Sequence, residues 1–255
     1  VRPGRIGAIA AAVVAAAAAG MAGVSGAAAP ASGSSAASSP TLLLVAGATG
    51  RHAYVVDDAK GVVARIDVGA APHGVALAPG GRAFVAAARG VAIVDTRARR
   101  RVAFVPYRAE VGPAGTGEYR PGGMGIAASP DGRFAYVGVH LASGPGRIEV
   151  IDVERRAVVA SVPVGVRPFE VLVTPDGRTV AAIDHDSYSV TVVDTRTLRP
   201  RTLPAAPLGP GAFDKPHYGA VTAGGRLVLP FQGRVLLLLD PVTGRSSRLP
   251  LTAET

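Results

Sequence analysis

Five histidines are the side chains of this 255-residue chain best suited to chemistry, because cysteine is absent altogether. No disulfide, thiolate metal site or cysteine nucleophile can form. Two of the histidines stand in one recurring phrase: "APHGVALAPGGRAFV" carries His73 and "KPHYGAVTAGGRLVL" carries His217. His140 closes "FAYVGVH", and His185 lies between two carboxylates, Asp184 and Asp186, in "IDHDSYS". Nitrogen and oxygen donors without thiolates suit zinc or copper(II). His73, His140, Asp184, His185 and His217 therefore make a candidate ligand set. None of these histidines has the His-x-x-x-His spacing of a helical site, so the ligands would have to converge from separate elements. Asp184 and His185 are also the makings of an acid–base pair. No Gly-x-Ser-x-Gly elbow or phosphate-binding glycine loop accompanies them.

The elements that must position these residues repeat along the chain. One turn recurs as "APGGRAFV", "SPDGRFAYV", "TPDGRTVAA" and, more weakly, "TAGGRLVL". Its last glycines are Gly81, Gly132, Gly177 and Gly225, spaced 51, 45 and 48 residues apart. Each turn is followed by a β-branched or aliphatic run closed by aspartate, at Asp95, Asp152, Asp194 and Asp240. Such runs read as strands, and the aspartate can hold the next turn through its own side chain. Each unit thus predicts four antiparallel strands, and no stretch after residue 40 has capped helical periodicity. The period matches a propeller blade.

Two stretches, "PHGVALAPGGRAFVAAARGVAIVDTRARRRVAFVP" and "RPFEVLVTPDGRTVAAIDHDSYSVTVVDTRT", resemble YVTN-type β-propeller repeats of the YncE-like group. The resemblance covers residues 41–251 and implies an all-β propeller of four-stranded antiparallel blades around a channel, commonly seven. About five blades are expected here: a partial one at 41–69, then 70–112, 113–166, 167–209 and 210–251. The first matches only the last three strands of a unit, so the chain reads as a C-terminally incomplete member. The group occurs in bacterial secreted and surface proteins, but the resemblance implies much less about function, because propellers host binding, scaffolding and catalysis alike, and related ones include lactone hydrolases.

Blade topology then places the side chains. Aligned on the turn glycine, His73 falls opposite Met124, Phe169 and His217, at the entrance to the innermost strand. Aligned on the arginine after it, His140 falls opposite His185 at the end of the returning strand. Both positions lie at one mouth of the channel, with Glu118, Glu170, Asp186 and Asp214 on the same side and His52 nearby. The glycine-rich connection "GPAGTGEYRPGGMG" should lie over that mouth as a lid or partner loop.

Export is expected from the N-terminus. Arg2 and Arg5 precede an apolar run from Ile6 to about Val24, and Ser25-Gly26-Ala27 offers small residues for signal peptidase. Residues 1–27 are read as a signal peptide and 28–40 as a flexible linker, giving a periplasmic or extracellular protein with no other membrane insertion. The net charge of +9 admits anionic partners such as cell-wall polyanions. The arginines of "TRARRR" lack interleaved aromatics, and this argues against specific nucleic-acid binding. The expected function is a non-catalytic scaffold binding a ligand or protein at the mouth, with metal handling and lactone hydrolysis as alternatives.

Overall fold

A computed structural model of the chain describes residues 14–16, 42–113, 115–207, 215–231 and 235–250. The linker at 28–40, most of the expected signal segment and Asp214 lie outside the described residues.

Among the described residues, twenty strands form five four-stranded antiparallel sheets. The first contains β1 (Val14–Ala16), β2 (Leu42–Ala46), β3 (His52–Asp57) and β4 (Gly61–Asp67). The second contains β5 (Val75–Ala78), β6 (Arg82–Ala86), β7 (Gly90–Asp95) and β8 (Arg100–Pro106). In the third are β9 (Gly122–Ala128), β10 (Phe134–His140), β11 (Arg147–Asp152) and β12 (Ala157–Pro163). The fourth holds β13 (Pro168–Val173), β14 (Thr179–Asp184), β15 (Ser189–Asp194) and β16 (Pro200–Pro204). The fifth is β17 (Ala220–Val221), β18 (Leu227–Phe231), β19 (Val235–Leu239) and β20 (Ser246–Pro250).

Strand parity explains how the sheets stack, because successive side chains point to opposite faces. In β7, Val91 and Ile93 enter the core shared with the third sheet, whereas Ala92 and Val94 enter the core shared with the first. In β14, Val180 and Ala182 face the third sheet, and Ala181 and Ile183 face the fifth. Each interior sheet is therefore apolar on both faces and is covered by a neighbour on each side. Four separate cores result, one between each consecutive pair.

Inner strands touch in order, β1 with β5, β5 with β9, β9 with β13 and β13 with β17. The sheets do not close into a ring. Accordingly β3 in the first sheet and β18 in the fifth alternate between buried and more exposed residues, while β7 is buried nearly throughout.

The turn chemistry follows the expected pattern. Gly81, Gly132, Gly177 and Gly225 all adopt φ between 69° and 79°, the left-handed region that glycine enters without steric cost. Asp95 Oδ1 accepts the N–H groups of Arg97 and Ala98 at 3.0 and 2.8 Å, and Asp194 Oδ1 those of Arg196 and Thr197 at 3.1 and 2.7 Å. The first sheet brings a surprise. Its innermost strand comes from the apolar run itself, with Val14, Ala15 and Ala16 paired to Val45, Leu44 and Leu43. This supplies the strand that residues 41–69 lack, using three residues of the segment expected to be removed on export.

Gly177 tests the turn account. A Cβ there would be strained at φ +69° and would meet Pro130 of the preceding blade at 3.1 Å. Gly177→Ala should cost roughly 1–2 kcal/mol, lowering Tm by several degrees. An unchanged Tm by calorimetry would contradict it.

Candidate functional site

The mouth is built around Phe169, which is fully buried at the start of β13. Its ring centroid lies 5.0 Å from that of His140, 4.6 Å from His185, 5.2 Å from His217 and 5.6 Å from Tyr119. His185 and His217 are themselves 4.1 Å apart, edge to face. His73 joins from the other side, where it and Phe169 line the same cavity.

Backbone hydrogen bonds set each approach. The N–H of His73 donates to the carbonyl of Ala86 at 2.8 Å, and that of His185 to the carbonyl of Arg167 at 3.0 Å. His140 ends β10 opposite Gly122. Gly74 has no room for a side chain, since a Cβ there would run into the Met124 carbonyl of the next inner strand. Gly125 is equally crowded, since a Cβ there would lie 2.7 Å from the Phe169 carbonyl, so the inner strands of the second, third and fourth sheets draw close around this ring.

His185 opens a short 3-10 turn, His185–Ser187, directly after β14. Its Nδ1 meets Asp186 Oδ1 at 2.7 Å. Asp186 also takes Lys215 Nζ at 2.7 Å and Arg167 Nε at 3.2 Å. The Arg167 guanidinium stacks 4.5 Å from the centre of Tyr119, a ring that is 53% exposed. Burial would raise the Asp186 carboxyl, but its bonds from Lys215 and His185 bring it below the usual carboxylate range.

Desolvation keeps the inner imidazoles neutral at neutral pH. It lowers His140 to about 3, helped by the charges of Arg120 and Arg167. It lowers His185 to about 4 against the pull of Asp186. His73 falls too, through burial first and Arg120 second. Arg120 is itself buried, and its guanidinium donates to the carbonyls of Ala71, Pro121 and Gly123. Both ring nitrogens of His73 are buried without a hydrogen-bond partner among the described residues, while the His140 ring approaches the backbone of Arg120 and Pro168.

The candidate ligand set is not gathered as a metal cage. Four of its members surround the mouth, but the Phe169 ring packs against His140, His185 and His217 alike. Among the described residues no group of three or more His, Asp or Glu side chains could hold a metal ion. Asp184 is bound inside its own blade, accepting from Thr191 Oγ1 at 2.6 Å and Ser189 Oγ at 3.3 Å. Burial raises its carboxyl to about 7. The carboxylate that meets His185 is Asp186, one residue beyond the strand, and Asp184 is a structural clasp. His52 stands apart on the first blade, with Nδ1 3.1 Å from Arg65.

Sequence reasoning placed Phe169 at the mouth only as a register equivalent of His73. Tyr119, Arg167, Lys215 and Arg120 were missed as individual residues. The position of Tyr119 and Arg120 in the expected mouth loop was the available signal.

Comparison with known proteins supports the fold alone. No family model and no curated protein matches the chain. Among solved structures, a chain of Kuenenia stuttgartiensis hydrazine synthase matches with a TM-score of 0.65 and 22% identity, over 78% of this chain and 61% of that one. A Bacteroides caccae protein of unknown function matches with a TM-score of 0.58 and 16% identity, over 83% of this chain and 73% of that one. The chain spans about three fifths of the matched hydrazine synthase chain. These likenesses agree with a propeller-like all-β fold of four-stranded sheets.

Asp184 gives a pH test with a definite sign. A buried carboxyl raised to about 7 holds its proton in the folded state at pH values where the unfolded chain has lost it. Its stabilising share is complete below the unfolded value near 3.8 and is lost as pH rises through about 7. Asp184→Asn cannot ionise, so its Tm relative to wild type should climb between pH 5 and 8. A difference that stays flat across that range, measured by thermal denaturation, would refute the buried acid.

Proposed function

We propose that this chain is a YVTN-type propeller, exported from the cell, that acts as a non-catalytic scaffold and binds a small ligand or protein segment through its mouth face. The observation that carries the binding reading is the convergence of exposed Tyr119 and half-buried Arg167 and Lys215 over the His185–His217 pair and Phe169. Tyrosine and arginine over a buried aromatic floor have the composition of a recognition hot spot. The neutral imidazole of His185 beside that floor adds hydrogen-bonding capacity without a charge that must be desolvated. The repeated turn and strand phrases support the YVTN assignment, and the basic, apolar and small-residue order of residues 1–27 supports export.

One observation favours a second reading, hydrolysis of the lactonase type. The 2.7 Å contact between Asp186 and His185 Nδ1 suits a hydrogen bond that would orient the ring, leaving Nε2 as a base for water. Under that reading His185→Ala abolishes lactone turnover.

Thermal scanning against a panel of small amines, carboxylates, sugars and lactones tests the binding reading. At least one probe should raise Tm by about 5 °C or more at a hundredfold excess over its Kd. That shift should vanish in a Tyr119→Ala, Lys215→Ala double variant. A panel without effect, or a shift that survives both substitutions, would overturn mouth-face binding. Export predicts a mature chain that begins at Ala28 by N-terminal mass spectrometry, and a secreted chain that keeps residues 1–27 would count against it.

A further inference from the structure

We propose that the cavity beside Phe169, between His73, Glu170 and Tyr218, is a recognition pocket for a small organic ammonium group. The proposal rests on the mouth-face binding reading and names the chemistry of its ligand.

Size sets the first limit. The cavity measures about 90 Å³, room for about three waters at ~30 Å³ each. That suits an amine of two or three heavy atoms, or the amino end of a longer molecule. Its walls combine the apolar Val75, Ile126 and Phe169 with three polar side chains.

Tyr218 is bonded to Glu118, but the other two polar groups are short of partners. His73 is only 6% exposed, and neither ring nitrogen has a hydrogen bond among the described residues. A neutral imidazole carries one donor and one acceptor, and leaving them buried and unmade is costly. Glu170 accepts the N–H of its neighbour Val171 at 3.0 Å through Oε1. No arginine or lysine pairs with its carboxyl among the described residues. An ammonium ion brings three donors, enough for the free carboxylate oxygen, the imidazole lone pair and one more acceptor.

The surrounding charges decide between a cation and an anion. Glu170 belongs to β13, and the mouth loop contributes Glu118 and Arg120. Glu118 acts on both His73 and Tyr218. Arg120 opposes a cation, but its guanidinium is engaged by the carbonyls of Ala71, Pro121 and Gly123. The same charge lowers His73 and so keeps its lone pair available. With Glu170 ionised, two carboxylates face one guanidinium, and the pocket favours a positive guest. The Phe169 and Tyr218 rings add cation–π attraction. Lys215 is held by Asp186 at 2.7 Å and does not fill the role.

Burial raises the empty Glu170 carboxyl to about 7. Its proton competes with an ammonium guest, so affinity should rise between pH 6 and pH 8. Below pH 6 the acid is protonated and the guest loses its counter-charge.

Ring-proton NMR of the histidines reads the site directly, because the chain has only five. Ethylammonium chloride is titrated at pH 7.5 against potassium chloride of equal ionic strength. The His73 signal should move saturably while that of His52 stays put. Glu170→Gln should weaken the affinity at least tenfold. Should that variant fail to fold, the wild-type protein must still bind at least threefold more tightly at pH 8 than at pH 6. A His73 signal that does not saturate, or affinity unchanged by Glu170→Gln or by pH, overturns the proposal. Sodium acetate separates the two levels of inference. If acetate moves His73 and ethylammonium does not, the ammonium assignment falls and mouth-face binding stands. If neither does, the ammonium assignment falls, and the thermal panel alone judges mouth-face binding.

Discussion

In the interior sheets alternate side chains of a single strand enter two different cores, so each sheet must be covered on both faces. Stacking sheet against sheet is the arrangement that does this for every interior blade. Because each sheet twists and its neighbours repeat its register, equivalent residues of successive inner strands come to one end of the molecule. His73, Met124, Phe169 and His217 are such equivalents, drawn from four blades. The mouth site is thus a by-product of burying valine and isoleucine elsewhere, with close approach permitted by residues such as Gly74.

That convergence has an electrostatic consequence. Packing His140 and His185 against a buried phenyl ring removes their water, and the charged form of both becomes unfavourable. His140 and His185 are held far below the usual imidazole range. Carboxyls nearby are driven the other way, as at Glu170. Asp186 escapes by taking Lys215 and Arg167 as partners at the solvent edge. The mouth therefore grades from a neutral, partner-poor interior to a charged rim within one ring of side chains.

Much of this was legible in the residues themselves. The left-handed turn glycines and the aspartates that close the strands announce local backbone geometry, and such geometry is decided by a few neighbouring atoms. The gathering of His73, His140, His185 and His217 at one mouth also followed, because it depends only on register. The choice between Asp184 and Asp186 did not. They are two residues apart, and it is the 3-10 turn after β14 that leaves the first inside the blade and brings the second to His185. The innermost strand of the first sheet was equally hidden, since Val14–Ala16 lie in an alanine-rich run with no strand period of their own. Phe169 was visible as a register position but not as a centre, which depends on packing from three blades at once.

Phe169 and its surroundings dehydrate His140 and His185. A pH titration of the five histidine ring-proton signals measures this without any ligand. His185 should gain its proton only near pH 4 and His140 near pH 3, or not before acid unfolding. In Phe169→Ala, where water can enter, both should move up toward the ordinary imidazole value. Midpoints between 6 and 7 for His140 and His185 in the wild-type protein would mean that the two rings are hydrated.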